Sequence, residues 1–476
     1  MLSKTGNFTN YPKTSDLLDT ARFRSRVVAV PAALFLRIGS AGLFPTPPSH
    51  RGGNMKSKTL MCITALALFQ SLAAQTWVYA QEQAELASTF KMLHAFTGLS
   101  DGGNPMASLI RDTAGNLYGT TNAGGTVACR CGIVFKLDTT GKEGVLHKFT
   151  GADGANPQAG LVRDAAGNLY GTTVFGGHCN FCGVVFKLDT TGKETVLHRF
   201  TFGADGANPQ AGLVRDAAGN LYGTAGSGGI DGPIGACASE GCGVAFKLDT
   251  TGKETVLHSF TGKADGGHPI TSLVRDNAGN LYSTTYAGGI ADGRCNFTCG
   301  IVFKLDTTGK ETVLHRFTGG ADGKNSSAGL VRDAAGNLYG TTRFGGNLTC
   351  GGGSVGCGVV FKLDTTGKET VLHKFTGGTD GAFPNSVLVR DAVGNLYGTT
   401  MSGGDPLCQC GVVFKLDTNG KETVLHKFTG GTDGAAPQAG LLRDGAGNLY
   451  GTAFSAGSNA SACGGVGCGI VFKLTP

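Results

Sequence analysis

Tryptophan is almost absent from this chain. The one copy among 476 residues, Trp77, falls in a leader segment, so the mature protein has no indole platform of the kind carbohydrate sites often use, and only Tyr and Phe are left to stand in. An excess of one charge is missing as well. The formal +6 comes from residues 1–80, which hold nine Lys/Arg and two Asp/Glu, leaving 31 basic against 32 acidic residues beyond them. No basic stripe remains to neutralise phosphates, which excludes a nucleic-acid partner. Beyond the leader no apolar run is long enough to span a bilayer. Thr475-Pro476 carries neither a hydrophobic tail nor a sorting motif, so no C-terminal anchor is expected. Nor does any Ser/His/Asp or paired-acid motif stand out, which speaks against a recognisable hydrolytic centre.

The leader begins at Met55. Lys56 and Lys58 precede an apolar run over 60–74, and the small-residue site Val78-Tyr79-Ala80 stands before Gln81, the pattern of a secretory signal peptide over 55–80. Residues 1–54 show no element of their own, and Arg51-Gly52-Gly53 is encodable by a purine-rich ribosome-binding sequence, so this stretch reads as an over-extended start. A cytoplasmic tail followed by an uncleaved signal anchor is the competing reading, although the run is short for a spanning helix. Cleavage makes the protein secreted or periplasmic, with the cell surface a further option. Cys62 leaves with the leader, and residues 81–89 form a linker.

What the chain has in abundance is glycine, 81 residues of it, placed at fixed positions between apolar runs in the manner of turn punctuation. The segment Gly-Asn-Leu-Tyr recurs with its tyrosine at Tyr118, Tyr170, Tyr222, Tyr282, Tyr339, Tyr397 and Tyr450, which makes seven units. A Phe-Lys-Leu run recurs from Phe135 to Phe472, and a Leu-His-x-Phe run has its histidine at His94, His147, His198, His258, His315, His373 and His426. A unit of roughly 55 residues is too small to bury its own core and needs its neighbours.

Each unit contains four short β-type segments, called A to D, at 160–164, 168–173, 184–189 and 194–200 in one copy. Asp164-Ala165-Ala166-Gly167 joins A to B and Asp189-Thr190-Thr191-Gly192 joins C to D. In this device Asp caps the turn with its side chain and Gly takes the left-handed residue, so both links are tight antiparallel hairpins. Four strands in a meander make a propeller blade. The first repeat-type segment, 91–96, is a lone D, and the last, 469–474, is a C without its D. That offset favours a ring, because the N-terminal strand then completes the last blade and removes two open edges, whereas an open solenoid would call for atypical capping repeats. The fold class is therefore all-β, a seven-bladed β-propeller of four-stranded antiparallel blades over 90–476, closed by the N-terminal strand.

The wording Asp-x-x-Gly-Asn-Leu-Tyr-Gly-Thr-Thr, Gly-Gly, Gly-Val-Val-Phe-Lys-Leu and Thr-Val-Leu-His-x-Phe resembles the GloVer tandem repeat of exported bacterial proteins with interchangeable anchors, over about residues 90–476. The resemblance implies a secreted or surface location and brings no catalytic residues to carry over. Ser283, where other copies have Gly, departs from the pattern, as does the lack of a C-terminal anchor.

Fourteen cysteines form seven local pairs, each in one B–C loop: Cys129 with Cys131, Cys179 with Cys182, Cys237 with Cys242, Cys295 with Cys299, Cys350 with Cys357, Cys408 with Cys410, and Cys463 with Cys468. The varied spacing argues against a metal site of fixed geometry and for disulfides that pin each loop to strand C. Pairing between blades stays open for the one-residue spacings. His198 alternates in phase with Val196 and Phe200, so the seven histidines are expected to pack between blades as structural residues. The Asp-Gly pairs from Asp101 to Asp433 read as turns, since no further carboxylate accompanies each at calcium-loop spacing. Repeat positions absorb 26 of the mature chain's 32 carboxylates, leaving Glu82, Glu85, Asp231, Glu240, Asp292 and Asp405. No metal or cofactor is implied.

The A–B and C–D turns barely change between copies, while the B–C loops vary in length and carry the individual polar residues. A ligand meets each blade from a different direction, so recognition is expected on the face of the B–C and D–A loops, through Arg130, His178, Asp231, Glu240, Asp292, Arg294, Arg343 and Asp405. The expected function is that of a monomeric, non-catalytic binding or structural module with an unidentified ligand or protein partner. The alternatives are a lyase or hydrolase with its site at the central mouth, and a cell-surface adhesion protein.

Overall fold

The structure is a computed structural model that describes residues 88–229, 237, 240–289, 295–296, 298–350, 355–457, 463 and 467–476. The stretches 1–54 and 55–80 and all but the end of the linker lie outside them, as do Asp231, Asp292 and Arg294.

Seven antiparallel sheets follow one another along the chain as the blades of a propeller. Blade 2 serves as the pattern: strand A is Val162–Arg163, B Leu169–Thr173, C Val184–Leu188 and D Glu194–Arg199. Strand A is only two residues long, shorter than the sequence suggests, because the residues before it turn toward the centre of the ring. Strands B and C are buried on both faces, which explains why Val-Val-Phe-Lys-Leu reads as a nearly continuous apolar run rather than an alternating one.

In the last blade the sheet order runs Leu442–Arg443, Leu449–Ala453, Ile470–Thr475 and then Thr89–Ala95 from the other end of the chain. Phe90 pairs with Leu474 and Ala95 with Ile470, so Thr89, the last residue of the linker, already belongs to the strand. The chain thus places its first strand as the outer strand of its last blade, a join that protects both edges.

The core is distributed in seven clusters, one between each pair of neighbouring blades. At each interface the Phe that follows strand D of one blade meets the Phe in strand C of the next, edge to face. Phe200 and Phe246 stand 5.2 Å apart at 67°, and the two interfaces of the last blade repeat this with Phe428–Phe472 at 5.5 Å and Phe96–Phe135 at 5.2 Å. Such T-shaped pairs add roughly 0.5–1.5 kcal/mol each beyond the area they bury. The Gly of strand B makes room for this ring: a Cβ on Gly171 would stand 2.6 Å from Phe186 Cζ and 2.9 Å from Leu161 Cδ2. Ser283 fills that position in blade 4 and turns its hydroxyl to Thr271 Oγ1 at 2.7 Å and to the Ser272 carbonyl at 3.0 Å. Blade 4 supplies its own polar partners for the extra atom, since Thr271 stands where blades 2 and 3 have Ala159 and Ala211.

One expectation is corrected here. Val196 and His198 do not share a strand face, because strand D carries a β-bulge: Val185 pairs with His198 and Phe186 with Val196, leaving Leu197 as the extra residue. Val196 packs into the cluster between blades 1 and 2, whereas Phe200 belongs to the one between blades 2 and 3. His198 stays with Phe200, ring centroids 4.7 Å apart, and faces blade 3. The same register shift occurs in all seven blades.

Candidate functional site

One face of the ring is built from turns. Asp164 Oδ1 accepts the Asn168 N–H at 2.8 Å, and its Oδ2 accepts from Asn168 Nδ2 at 2.8 Å and the Tyr170 hydroxyl at 3.0 Å, while Gly167 takes φ +94°. Burial opposes ionisation of Asp164, and these bonds outweigh it, holding the carboxyl below its usual range. The C–D turn is tied by Asp189 Oδ1, which accepts from Thr191 N at 2.9 Å, Thr191 Oγ1 at 2.6 Å and Lys193 N at 3.0 Å. Six of the seven tyrosines lie between two cations, as Tyr222 does between Lys247 at 5.9 Å and Arg275 of the next blade at 5.9 Å. The carboxylates of both turns are thus tied to neighbouring groups in the same blade.

Through the centre runs a cavity of about 100 Å³ to which every blade contributes. Its polar lining consists of Ser, Thr and the side-chain amides of Gln158, Gln210, Asn385 and Gln438; among the described residues it holds no acid, base or cation. Small residues pinch it: a Cβ on Gly440 would meet Ser108 Oγ at 2.8 Å and the Val387 carbonyl at 2.9 Å.

The opposite face joins the D–A and B–C loops. Ala155 bridges to Phe175 and Ala207 to Ser227, and in blade 6 the contact lengthens into a strand, Ala382–Pro384, paired with Leu396–Ser402. At the head of each D–A segment a non-glycine residue takes positive φ, Asn156 at 55° and Asn208 at 53° among them. The Asn208 N–H donates to the Cys182 carbonyl of the preceding blade at 2.9 Å, and its side chain donates to Val174 and Phe181 carbonyls at 3.1 and 2.8 Å. Asn tolerates this backbone region better than most side chains, and the sequence carries the signal in its repeated Gly-Ala-Asn-Pro. Asn104 makes the same latch to Cys468, from blade 1 to blade 7.

All seven cysteine pairs are joined inside their own loops. Cys129 bonds Cys131, Cys179 bonds Cys182, Cys237 bonds Cys242, Cys295 bonds Cys299, Cys350 bonds Cys357, Cys408 bonds Cys410 and Cys463 bonds Cys468, with Cα–Cα distances from 5.1 to 5.7 Å. The one-residue spacings, Cys129 with Cys131 and Cys408 with Cys410, therefore close within a loop and not between blades. In each pair the second cysteine is the more deeply placed: Cys131, Cys242, Cys299, Cys357 and Cys410 are buried in the clusters between blades, so the bond ties each loop to the core.

These bridges hold up an unusual surface. Among the described residues ten large hydrophobic side chains are exposed, and seven of them stand on the loops of this face, including Val127 at 99%, Leu407 at 95% and Phe181 at 65% exposure. Sequence reasoning singled out the polar residues here and missed the apolar ones. Arg130, His178 and Glu240 are exposed on the B–C loops of blades 1, 2 and 3. Arg343 is half-buried with its guanidinium 5.3 Å from the centre of the Phe344 ring. Asp405 turns its carboxylate inward, accepting from Leu407 N at 2.8 Å and Cys408 N at 3.2 Å. These five stand one to a blade on five different loops.

On the outer rim the structure gathers residues that the sequence keeps apart. His198 Nε2 lies 3.5 Å from Asp205 Oδ2 and 4.0 Å from Oε2 of Glu254, which opens strand D of blade 3. Asp205 also accepts the Thr201 N–H at 2.9 Å, as its Asp-Gly turn requires. A second carboxylate therefore does accompany the turn aspartate, but it comes from the neighbouring blade, where spacing along the chain does not reveal it. Burial, and then the charge of Asp205, push Glu254 up to about 7; burial also lowers His198, against the pull of Asp205.

The blades, the turn face and the loop face together define a seven-bladed β-propeller. The chain matches the Gloeobacter/Verrucomicrobia repeat over residues 77–292 and 230–463, and it belongs to that family. Among solved structures it is similar to the extracellular domain of a protein assigned as a hybrid two-component system from B. thetaiotaomicron, at 12% identity and TM-score 0.50, covering 82% of this chain and 41% of that one. A second extracellular domain from the same organism, assigned to a one-component system, gives 11% identity and TM-score 0.47 over 80% of this chain and 39% of that one. The PQQ-bound aldose sugar dehydrogenase of Streptomyces coelicolor gives 11% and 0.41 over 82% and 99%. The chain thus spans about two fifths of the length of the first two, and likenesses this distant show the fold alone. No curated protein matches the chain.

Proposed function

We propose that the protein is an exported, non-catalytic propeller that binds a partner through the face of the B–C and D–A loops. The observation that carries this is the set of exposed apolar side chains there, Val127, Phe181, Leu348, Val355 and Leu407 on B–C loops with Leu99 and Phe202 on D–A loops. A soluble domain rarely exposes apolar groups in concentration without a use for them. Arg130, His178 and Glu240 give the same face a polar fringe, in the way binding surfaces combine apolar anchors with a charged rim. Seven disulfides suit an oxidising compartment, and no helix among the described residues is long and apolar enough to cross a membrane, both in keeping with export. The neutral lining of the central cavity favours binding over acid–base chemistry at the mouth.

The test displays the protein on beads and captures partners from the surface and medium of the producing cells, with a Val127→Ser, Phe181→Ser, Leu407→Ser variant in parallel. A partner retained by the parent and lost by the variant supports the reading. Partners that bind both equally remove the loop face from consideration.

A further inference from the structure

Six of the seven blade interfaces bring together one histidine, one aspartate and one glutamate in the manner of His198, Asp205 and Glu254. In four of them one donor atom from each residue lies within 4.8 Å of the other two: His94 with Asp101 and Glu143, His198 with Asp205 and Glu254, His315 with Asp322 and Glu369, and His373 with Asp380 and Glu422. We propose that these four clusters are sites for a divalent transition-metal ion, zinc first among them, each stapling the outer strand of one blade to that of the next.

The donor set is the first argument. One imidazole and two carboxylates supply three protein ligands and leave a fourth position for water, as three-ligand zinc sites do. Calcium wants six to eight oxygens and takes imidazole poorly. Spacing is the second. Ligands about 2.0–2.2 Å from a common tetrahedral ion stand roughly 3.4 Å from each other, and the histidine nitrogens lie 3.5 to 4.0 Å from their aspartate partners in these four clusters. Third, the donors are left wanting. Nε2 of His94, His198, His315 and His373 is shielded from solvent without a hydrogen bond of normal geometry, as is Nε2 of His258 in an interface outside the four. Buried polar atoms are seldom left so.

The interface of blade 7 lacks the third donor. In blade 7, Phe90 pairs with Leu474 as Glu254 pairs with Leu248 in blade 3, so Phe90 takes the glutamate's position. Its ring stacks on His426 at 4.1 Å, and His426 bonds Asp433 directly at 3.1 Å. With an apolar third member the histidine and aspartate close on each other. His147 and Asp153 close in the same way, at 3.0 Å, beside Glu194, so both interfaces fall outside the four.

The experiment uses the purified mature protein, its disulfides formed and free thiols shown absent, stripped with chelator and titrated with zinc at pH 7.5. Four equivalents per chain are expected, and Glu254→Gln and His198→Asn are each expected to lose one of the four while retaining the parent's circular dichroism. Cobalt in place of zinc should give visible ligand-field bands without thiolate charge-transfer absorption, which separates these sites from reduced cysteines. The proposal is overturned if the oxidised protein binds no stoichiometric zinc, if both single variants keep the parent stoichiometry, or if the cobalt spectrum carries sulfur bands.

Discussion

The two faces of the ring are made from one repeat and have been treated differently. On the turn face, the bond from Asn N–H to Asp is 2.8 Å at Asp112, 2.8 Å at Asp216 and 2.9 Å at Asp444, hundreds of residues apart. On the loop face the D–A segments remain regular, with Thr97, Thr201 and Thr318 all donating to the turn aspartate, while the B–C loops differ in length, disulfide spacing and exposed residues. Variation is therefore concentrated in one loop in four. A surface that only had to keep water out would not need this division. A rigid frame that presents seven different fingers would.

The comparison breaks most visibly if the frame is opened. Removing Thr89–Ala95 strips the outer strand from blade 7, exposes Ile470–Thr475 and removes Phe90 from the Phe472 ring, so cooperative thermal unfolding should be lost. A sharp transition at the parent temperature would show that the ring does not depend on this join.

On the turn face, Asp216→Ala removes three bonds, from Asn220 N, Asn220 Nδ2 and Tyr222. At about 1 kcal/mol per bond, denaturant unfolding should report a loss of about 2–3 kcal/mol. Gly171→Ala, which drives a methyl against Phe186, should cost about 1–3 kcal/mol by the same measurement. Against these, Leu407→Ser on the loop face should stay within about 0.5 kcal/mol, because the side chain is 95% exposed. Equal losses on both faces would erase the distinction.

A pH-dependent effect sharpens the rim. Glu254 is raised to about 7 in the folded protein by burial and by Asp205, with His198 the facing base. A carboxyl raised on folding stabilises the fold below its unfolded value, near 4.3, and loses that contribution as pH rises through 7. Glu254→Gln mimics the protonated form. In metal-free protein it should therefore melt level with the parent at pH 4 and above it at pH 8; a gap that is the same at both pH values would mean the carboxyl does not titrate as described.

Much of this was legible in the sequence where the interaction is local. Asp164 and Tyr170 are six residues apart, and the Asp-x-x-Gly device announces both the hairpin and its cap. The seven tyrosines and the missing fourth strand at one end were enough to place the ring. The rim clusters were not legible, because Glu254 comes from the next blade and His198 is turned toward it by a bulge at Leu197 that an alternating pattern conceals. The Asn208 latch has a trace in the repeated Asn-Pro but was not singled out, because its acceptors lie in the preceding blade. The apolar fingers Val127 and Leu407 were not singled out, because a loop of irregular length does not show which way its side chains point.

Consider finally the pairing of Phe90 with Leu474 as an event in time. A chain delivered N-terminus first releases the strand Thr89–Ala95 at the outset, and its partner Ile470–Thr475 arrives last. Contacts of such sequence separation close slowly, and an unpaired strand meanwhile is a site for wrong partners. Six blades can zip up in order behind it, each resting on the one before, but the ring is not closed until Ile470–Thr475 emerges. The join is thus a check on completeness: a chain cut short of that strand leaves Thr89–Ala95 without its partner.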